Sequence, residues 1–209
     1  MGARVLSAGD LGAAASIVRS GGIVAIPTDT VYGLACDPFS PAAVERLFEA
    51  KEREAKPVPV LCSGTDAAER LVAFGEAASA LARRHWPGAL TIVAPMKDEA
   101  LRTVVRTIHQ GTGWLGVRVP DHRVVTALSE KVGGCVTGTS ANLSGRPPCR
   151  SAEEVAEALG DRVDGIIDGG YLEGLESTVV KVVGGTVEVL RRGSIAIEQG
   201  RTSQESQHQ

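Results

Sequence analysis

The stretch Ile23-Val24-Ala25-Ile26-Pro27-Thr28-Asp29-Thr30-Val31-Tyr32-Gly33-Leu34 decides how the chain folds. Four apolar residues in a row read as a buried strand, and the proline ends it. Two threonines, a carboxylate and a tyrosine then follow before the next glycine. That order places polar groups at a sheet edge, where α/β proteins hold ligands. A polar turn that satisfies itself is the plainer reading of the same residues.

Upstream, Leu11, Ala14, Ala15 and Val18 follow a helical period that stops at Gly21-Gly22, so the order is helix, then strand. Downstream, Ser40-Pro41 is an N-cap and first-turn pair for a helix whose apolar face is Val44, Leu47 and Phe48. The basic cluster Lys51, Arg53 and Lys56 therefore lies at or just past that helix's end. Val58 to Cys62 predicts a short strand, and Asp66 with Glu69 predicts a capping box opening one helix through Arg84, broken by Trp86-Pro87-Gly88. Strands are expected over Leu90 to Ala94 and Leu115 to Val119, with Asp121 capping a helix that bears Val124, Val125 and Leu128. Cys135 to Gly138 is extended and feeds the polar turn at Ser140 and Asn142. Ser151 with Glu154 predicts a further capping box, and Val163 to Ile167 a strand. Thr178 to Val183 and Thr186 to Leu190 flank Gly184-Gly185 as a hairpin. Alternating strands and helices with a hairpin imply an α/β domain with a mixed, parallel and antiparallel, sheet.

The 209 residues fit one domain, and 43% hydrophobic with 22% charged residues is the balance of a soluble globular protein. A net charge of −3 gives no whole-molecule attraction to nucleic acid, so any polyanion must be met locally. Cys36, Cys62, Cys135 and Cys149 are scattered without a C-x-x-C pair, which argues against a zinc cluster or redox motif. No apolar run reaches the roughly 18 residues of a membrane span. A cytoplasmic protein, residues 1–200 folded and 201–209 a disordered polar tail, is the expectation.

Two motifs mislead. Gly111-Thr112-Gly113-Trp114-Leu115-Gly116 spells a dinucleotide fingerprint but opens an extended segment rather than a helix. Ser140 lacks the second glycine of a nucleophile elbow. The remaining candidates each admit two readings. Lys51, Arg53 and Lys56 converge on one polyanion or form a solvated run with Glu52 and Glu54. Ser140 and Asn142 line a phosphate or ribose, or satisfy their own backbone. Arg118, inside an apolar strand, needs a carboxylate or a bound anion, because an unpaired buried cation is costly.

Six segments in order resemble the YrdC/Sua5 family of threonylcarbamoyl-AMP synthases: Pro27-Thr28-Asp29-Thr30-Val31-Tyr32-Gly33-Leu34, Lys51-x-Arg53 with Lys56-Pro57, Trp86-Pro87-Gly88-x-Leu90-Thr91, Val117 to His122, Ser140 to Gly145, and Glu176-Ser177-Thr178-Val179-Val180. The resemblance spans about Leu11 to Ile195 and implies a single-domain, YrdC-like twisted mixed sheet flanked by helices around an open concave cleft. It also implies joining of L-threonine, bicarbonate and ATP, with Mg2+, into an adenylate that a downstream tRNA threonylcarbamoyl transferase complex uses for N6-threonylcarbamoyladenosine at tRNA position 37. Thr30, Arg118, Gly138 and Ser177 would hold threonine. Arg53, Lys56, Trp114, Ser140, Asn142, Pro148 and Arg191 would hold ATP, with Lys51, Arg53 and Lys56 stabilising the reacting charges; no metal is held by protein residues alone. Weak direct contact with tRNA, an RNA-binding module on the same basic cleft, and a related carbamoyl-adenylate enzyme are the alternatives; no membrane partner is implied.

The departures are specific to this chain. The loop from Arg53 to Lys56 is one residue short, Glu52 stands in place of a glycine, and Leu61-Cys62 replaces a histidine of the long form. Lys181 stands where an aspartate is common, and Arg192 replaces a proline. The short, single-domain type, without the long form's extra C-terminal domain, is the expectation.

Overall fold

The computed structural model describes residues 2–52 and 56–201. In chain order it runs β1 (Arg4–Ser7), α1 (Leu11–Arg19), β2 (Val24–Ile26), β3 (Gly33–Ala35), α2 (Pro41–Ala50), β4 (Val60–Cys62), α3 (Thr65–Leu71), α4 (Glu76–His85), β5 (Leu90–Pro95), α5 (Asp98–Thr103) and α6 (Arg106–His109). It continues with β6 (Trp114–Arg118), α7 (Arg123–Lys131), β7 (Cys135–Thr137), β8 (Thr139–Ser140), α8 (Ala152–Leu159), β9 (Gly165–Asp168), β10 (Thr178–Val183), β11 (Thr186–Arg191) and β12 (Gly200–Arg201). The strands form two mixed sheets, ordered β1-β9-β2-β3-β8 and β12-β11-β10-β5-β6-β4-β7. The α/β class and the mixed pairing are as expected, with two sheets where the pattern predicts one. Among the described residues, no helix is long and apolar enough to cross a membrane.

Strand alternation divides the larger sheet into two faces. Leu90, Ile92, Ala94, Leu115, Val117, Val180 and Val182 point into the main core, against apolar residues of α3, α4 and the smaller sheet. Thr91, Val93, Gly116, Arg118, Val179 and Lys181 point the other way and line a cavity. The smaller sheet is buried on both faces: Ala25 and Leu34 join the main core, while Val24, Ile26 and Ala35 pack on α1 and α7 in a second one. This is why Ile23 to Ile26 reads as an unbroken apolar run.

Local signals succeed and fail for identifiable reasons. Ser40 caps α2 through the Ala43 N–H, and Ser151 caps α8 through the Glu154 N–H at 3.2 Å. The Glu154 carboxylate, however, reaches the Arg150 N–H, one residue before the box position. The hairpin of β10 and β11 forms as expected. The single helix expected from Asp66 to Arg84 is two helices. α3 starts after Gly64 with no side-chain cap, and the chain leaves it at Val72 because Ala73 N–H bonds to Pro95 O and Lys97 N–H to Leu71 O. The α7 cap is His122, whose Nδ1 accepts the Val124 N–H at 3.3 Å, rather than Asp121. Short strands β1, β3, β8 and β12 have no strong local pattern, and each exists through its partner. Arg201, assigned to the polar tail by composition, pairs with Thr186; residues 202–209 lie outside the described residues.

His85, His109 and His122 all have pKa values pulled below the ordinary imidazole value, in each case first by burial. Such groups are neutral in the fold and take up protons on unfolding, so the unfolded state binds more protons as pH falls below about 6.5. The histidine contribution to stability should therefore be fully present above about 6.5 and be lost as pH falls below it. Urea unfolding between about pH 6.5 and 5 checks it, and His122→Asn, whose side-chain oxygen can take over the cap from Nδ1, should flatten the slope.

Candidate active site

The cleft lies where the C-terminal end of β6 meets the turn after β2. That turn is internally locked: Thr28 Oγ1 accepts from the Thr30 N–H at 3.1 Å and donates to Val31 O at 2.7 Å. Its one proton is thus committed, so the Thr30 hydroxyl, 2.9 Å away, donates to it. Arg118 Nη1 donates to Thr30 Oγ1 at 3.2 Å. The Thr30 oxygen that lines the cavity can then only accept from a ligand.

Arg118 is 4% exposed, and its other bonds go to Gly88 O (2.9 Å) and to Asp29 Oδ1 (2.5 Å). Burial pulls the guanidinium below its ordinary pKa, and the Asp29 carboxylate pulls the other way. Both readings of Arg118 therefore apply to one side chain: it has a structural carboxylate partner, and it also lines the cavity. Arg118 has five N–H groups, and these bonds leave one on each terminal nitrogen for an anion.

Ser177 completes this end. Its hydroxyl lies 2.9 Å from Thr91 Oγ1 and accepts from Arg191 Nη2 at 3.1 Å. Arg191 also grips Ser177 O and pairs with Glu176 at 2.9 Å. Gly138 is needed for space: a Cβ there would lie 2.3 Å from Leu61 Cγ, and its N–H is bonded to Pro59 O at 2.8 Å. Trp114 lies on the cavity wall, and its backbone N–H donates to Thr112 Oγ1 at 3.2 Å.

This first cavity, about 390 Å³, adjoins a second of about 540 Å³. Ser140, Glu176 and Arg191 line both. The second also carries Lys51, Lys56, Asn142 and Glu52. Lys51 is 2% exposed, and its ammonium donates to Ser140 O, Asn142 O (2.8 Å) and Asn142 Oδ1 (3.1 Å). Asn142 Oδ1 also accepts from Ser140 Oγ at 2.6 Å, and its amide donates to Leu143 O and Arg146 O. The Ser140–Asn142 turn is thus braced from below by a cation. Lys56 is exposed at the cavity mouth, Pro148 is half-buried and lines neither cavity, and Arg53 lies outside the described residues.

The Sua5/YciO/YrdC family model, described as telomere recombination, matches residues 16–193. The chain belongs to that family. It is 39% identical over 189 residues to threonylcarbamoyl-AMP synthase of Bacillus subtilis (strain 168), covering 89% of this chain and 54% of that protein. It is 40% identical over 164 residues to threonylcarbamoyl-AMP synthase of Xanthomonas campestris pv. campestris (strain B100), covering 77% and 86%. The solved structure of P. abyssi Sua5 complexed with L-threonine superposes with a TM-score of 0.83 at 36% identity, covering 91% of this chain and 56% of that one. The chain thus spans about half the length of the Bacillus and Pyrococcus relatives.

The sequence implies that Arg118 needs a carboxylate or a bound anion, and the carboxylate proves to be Asp29, with no local pattern joining the two. Thr91, Glu176 and Lys181 are wall residues beyond the candidate set. The signal was present in the period of two: Val179 and Lys181 must face away from buried Val180 and Val182.

Asp29→Asn leaves Arg118 buried without its countercharge. Breaking a buried pair in this way costs about 3–5 kcal/mol. Urea denaturation of the variant should show a loss of that order; one below about 1 kcal/mol would mean that Asp29 does not carry the pair.

Proposed function

We propose that this family member acts in the cytoplasm to form L-threonylcarbamoyladenylate and pyrophosphate from L-threonine, bicarbonate and ATP, for transfer to tRNA position 37. The observation that carries the reading is the division of the cleft. One end presents Arg118, Thr30 and Ser177, a set that fits the carboxylate, ammonium and hydroxyl of a small amino acid. The adjoining cavity presents Lys51, Lys56 and Arg191, which suits a triphosphate. The relatives named as synthases, and the relative solved with L-threonine, support it.

In this reaction a carboxylate oxygen of N-carboxythreonine attacks the α-phosphorus while pyrophosphate leaves. Both reactants are anions, so the protein's task is positioning and charge screening, with no protein nucleophile. Arg118 holds the amino-acid carboxylate, and its bond to Asp29 fixes the plane of the guanidinium. The Thr30 oxygen accepts from the ammonium or the hydroxyl. Arg191, locked by Glu176 and Ser177, stands at the junction of the two cavities. Lys56 meets the phosphates at the mouth, and Arg53 belongs to the same segment.

Mg2+ is proposed as the nucleotide's companion, screening its phosphates. Among the described residues no group of three or more metal-ligating side chains could hold an ion, and the carboxylates on the second cavity are Glu52 and Glu176. That fits an ion carried by phosphate oxygens with at most one or two protein carboxylates.

Pyrophosphate release should require ATP, threonine and bicarbonate, each omitted in turn; release that ignores threonine would overturn the reading. Arg118→Ala should raise the threonine KM by about 10²-fold with a smaller effect on the ATP KM, the scale of losing a charge-assisted bidentate contact. A site that bonds the substrate hydroxyl leaves buried partners unpaired without it. L-2-aminobutyrate should consequently be used far less well than threonine and less well than serine, measured by the ratio of kcat/KM values.

A further inference from the structure

Lys181 is the cleft cation that the reaction above does not use. It projects from β10 into the first cavity, on the face opposite buried Val180 and Val182. Its neighbour across the β10–β11 ladder is Glu188, the obvious ionic partner. The two make no ion pair among the described residues. The ammonium instead leans over the Trp114 ring, 4.4 Å from its centroid. Lys181 and Trp114 lie two strands apart: Lys181 faces Val93 on β5, Val93 faces Gly116 on β6, and the missing side chain at Gly116 leaves room for the lysine stem to cross to Trp114 on the same strand. A cation–π contact orients an ammonium without consuming its N–H groups, so Lys181 presents donors to whatever fills this end of the cleft.

What fills it follows from the rest of the cleft, given the reading under Proposed function. The triphosphate belongs to the second cavity and the amino acid to the Arg118 end. The wall that remains combines Val93, Val179 and Leu190 with the Trp114 ring, an apolar surface that suits a flat base. The geometry points to Lys181 as the residue that reads the edge of the purine, and to a base pocket that accepts guanine nucleotides alongside adenine nucleotides. Guanine offers two acceptors, O6 and N7, on the edge where adenine pairs its N7 acceptor with an N6 donor. An ammonium is repelled by none of guanine's edge and by part of adenine's.

The test compares kcat/KM for ATP and GTP in threonine-dependent pyrophosphate release, in the wild type and in Lys181→Met, which keeps the stem and removes the donors. The wild type should use GTP within about tenfold of ATP, and the GTP-to-ATP ratio should fall about tenfold or more in the variant, the scale of one base-edge contact. Lys181→Glu, which supplies acceptors, should lower it further. An unchanged ratio in Lys181→Met, or a wild type that rejects GTP by more than about 10³-fold, overturns the proposal. Quenching of Trp114 fluorescence by ATP and GTP without threonine, with Trp114→Phe as the blank, gives the same ratio from binding alone. Nucleotide binding that shifts with Lys181 but yields no turnover counts against the adenylate reading and supports this one; no quenching by either nucleotide overturns it.

Discussion

The buried pair between Arg118 and Asp29 is the constraint on which the site depends. Arg118 ends a strand of the larger sheet and Asp29 lies in the turn that leaves the smaller one, so the pair ties the two sheets at the cleft. The bond from Arg118 to Gly88 O adds a third segment, the approach to β5. As a stability device such a pair is poor, because desolvating two charges offsets most of their attraction. As a positional device it is strong. The guanidinium is planar and three of its N–H groups are aimed at fixed oxygens, so the remaining two point in determined directions.

The same economy runs through the larger sheet. Its strands put every second side chain into the core. The alternate residues line the cleft, and they are mixed in kind: Thr91 faces Val179 toward the Arg118 end, Val93 lies between Lys181 and Gly116 in the middle, and Trp114 stands at the other end. Glycines set the clearances. Gly138 gives way to Leu61, and Gly174 lies against the Thr30 backbone, where a Cβ would be 2.3 Å from Thr30 O.

Legibility in the sequence tracks this division. Elements carried by their own pattern were plain: α1, α2, α8 and the β10–β11 hairpin come from periodicity, caps and Gly184-Gly185. Elements that exist through a partner were not. β1 forms beside β9, β3 between β2 and β8, and the α3–α4 break arises because residues 71–73 bond to the end of β5. The site behaves likewise. Which residues carry charge or hydroxyls near strand ends could be read directly, and Thr30, Arg118, Ser140, Ser177 and Arg191 do meet at one cleft. Pairing between distant residues could not, since nothing local in the sequence says that Asp29 and Arg118 are 2.5 Å apart or that Lys51 lies under Asn142.

Lys51 shows what that hidden pairing does to chemistry. A lysine just past a helix end looks like a phosphate ligand, yet its ammonium is nearly sealed from solvent and bonded to the oxygens of the Ser140–Asn142 turn. Those bonds fix the ammonium beneath the turn, so that Ser140 and Asn142 are held by a cation that cannot leave them. Lys51 and this turn line the second cavity together. Lys51 therefore holds Ser140 and Asn142 in place on the wall of that cavity. Lys56, exposed at the mouth, has the opposite character: free to move to a phosphate, but weakened by solvent. The same basic cluster thus supplies one cation that shapes the cavity wall from beneath and one that stands in solvent at its mouth.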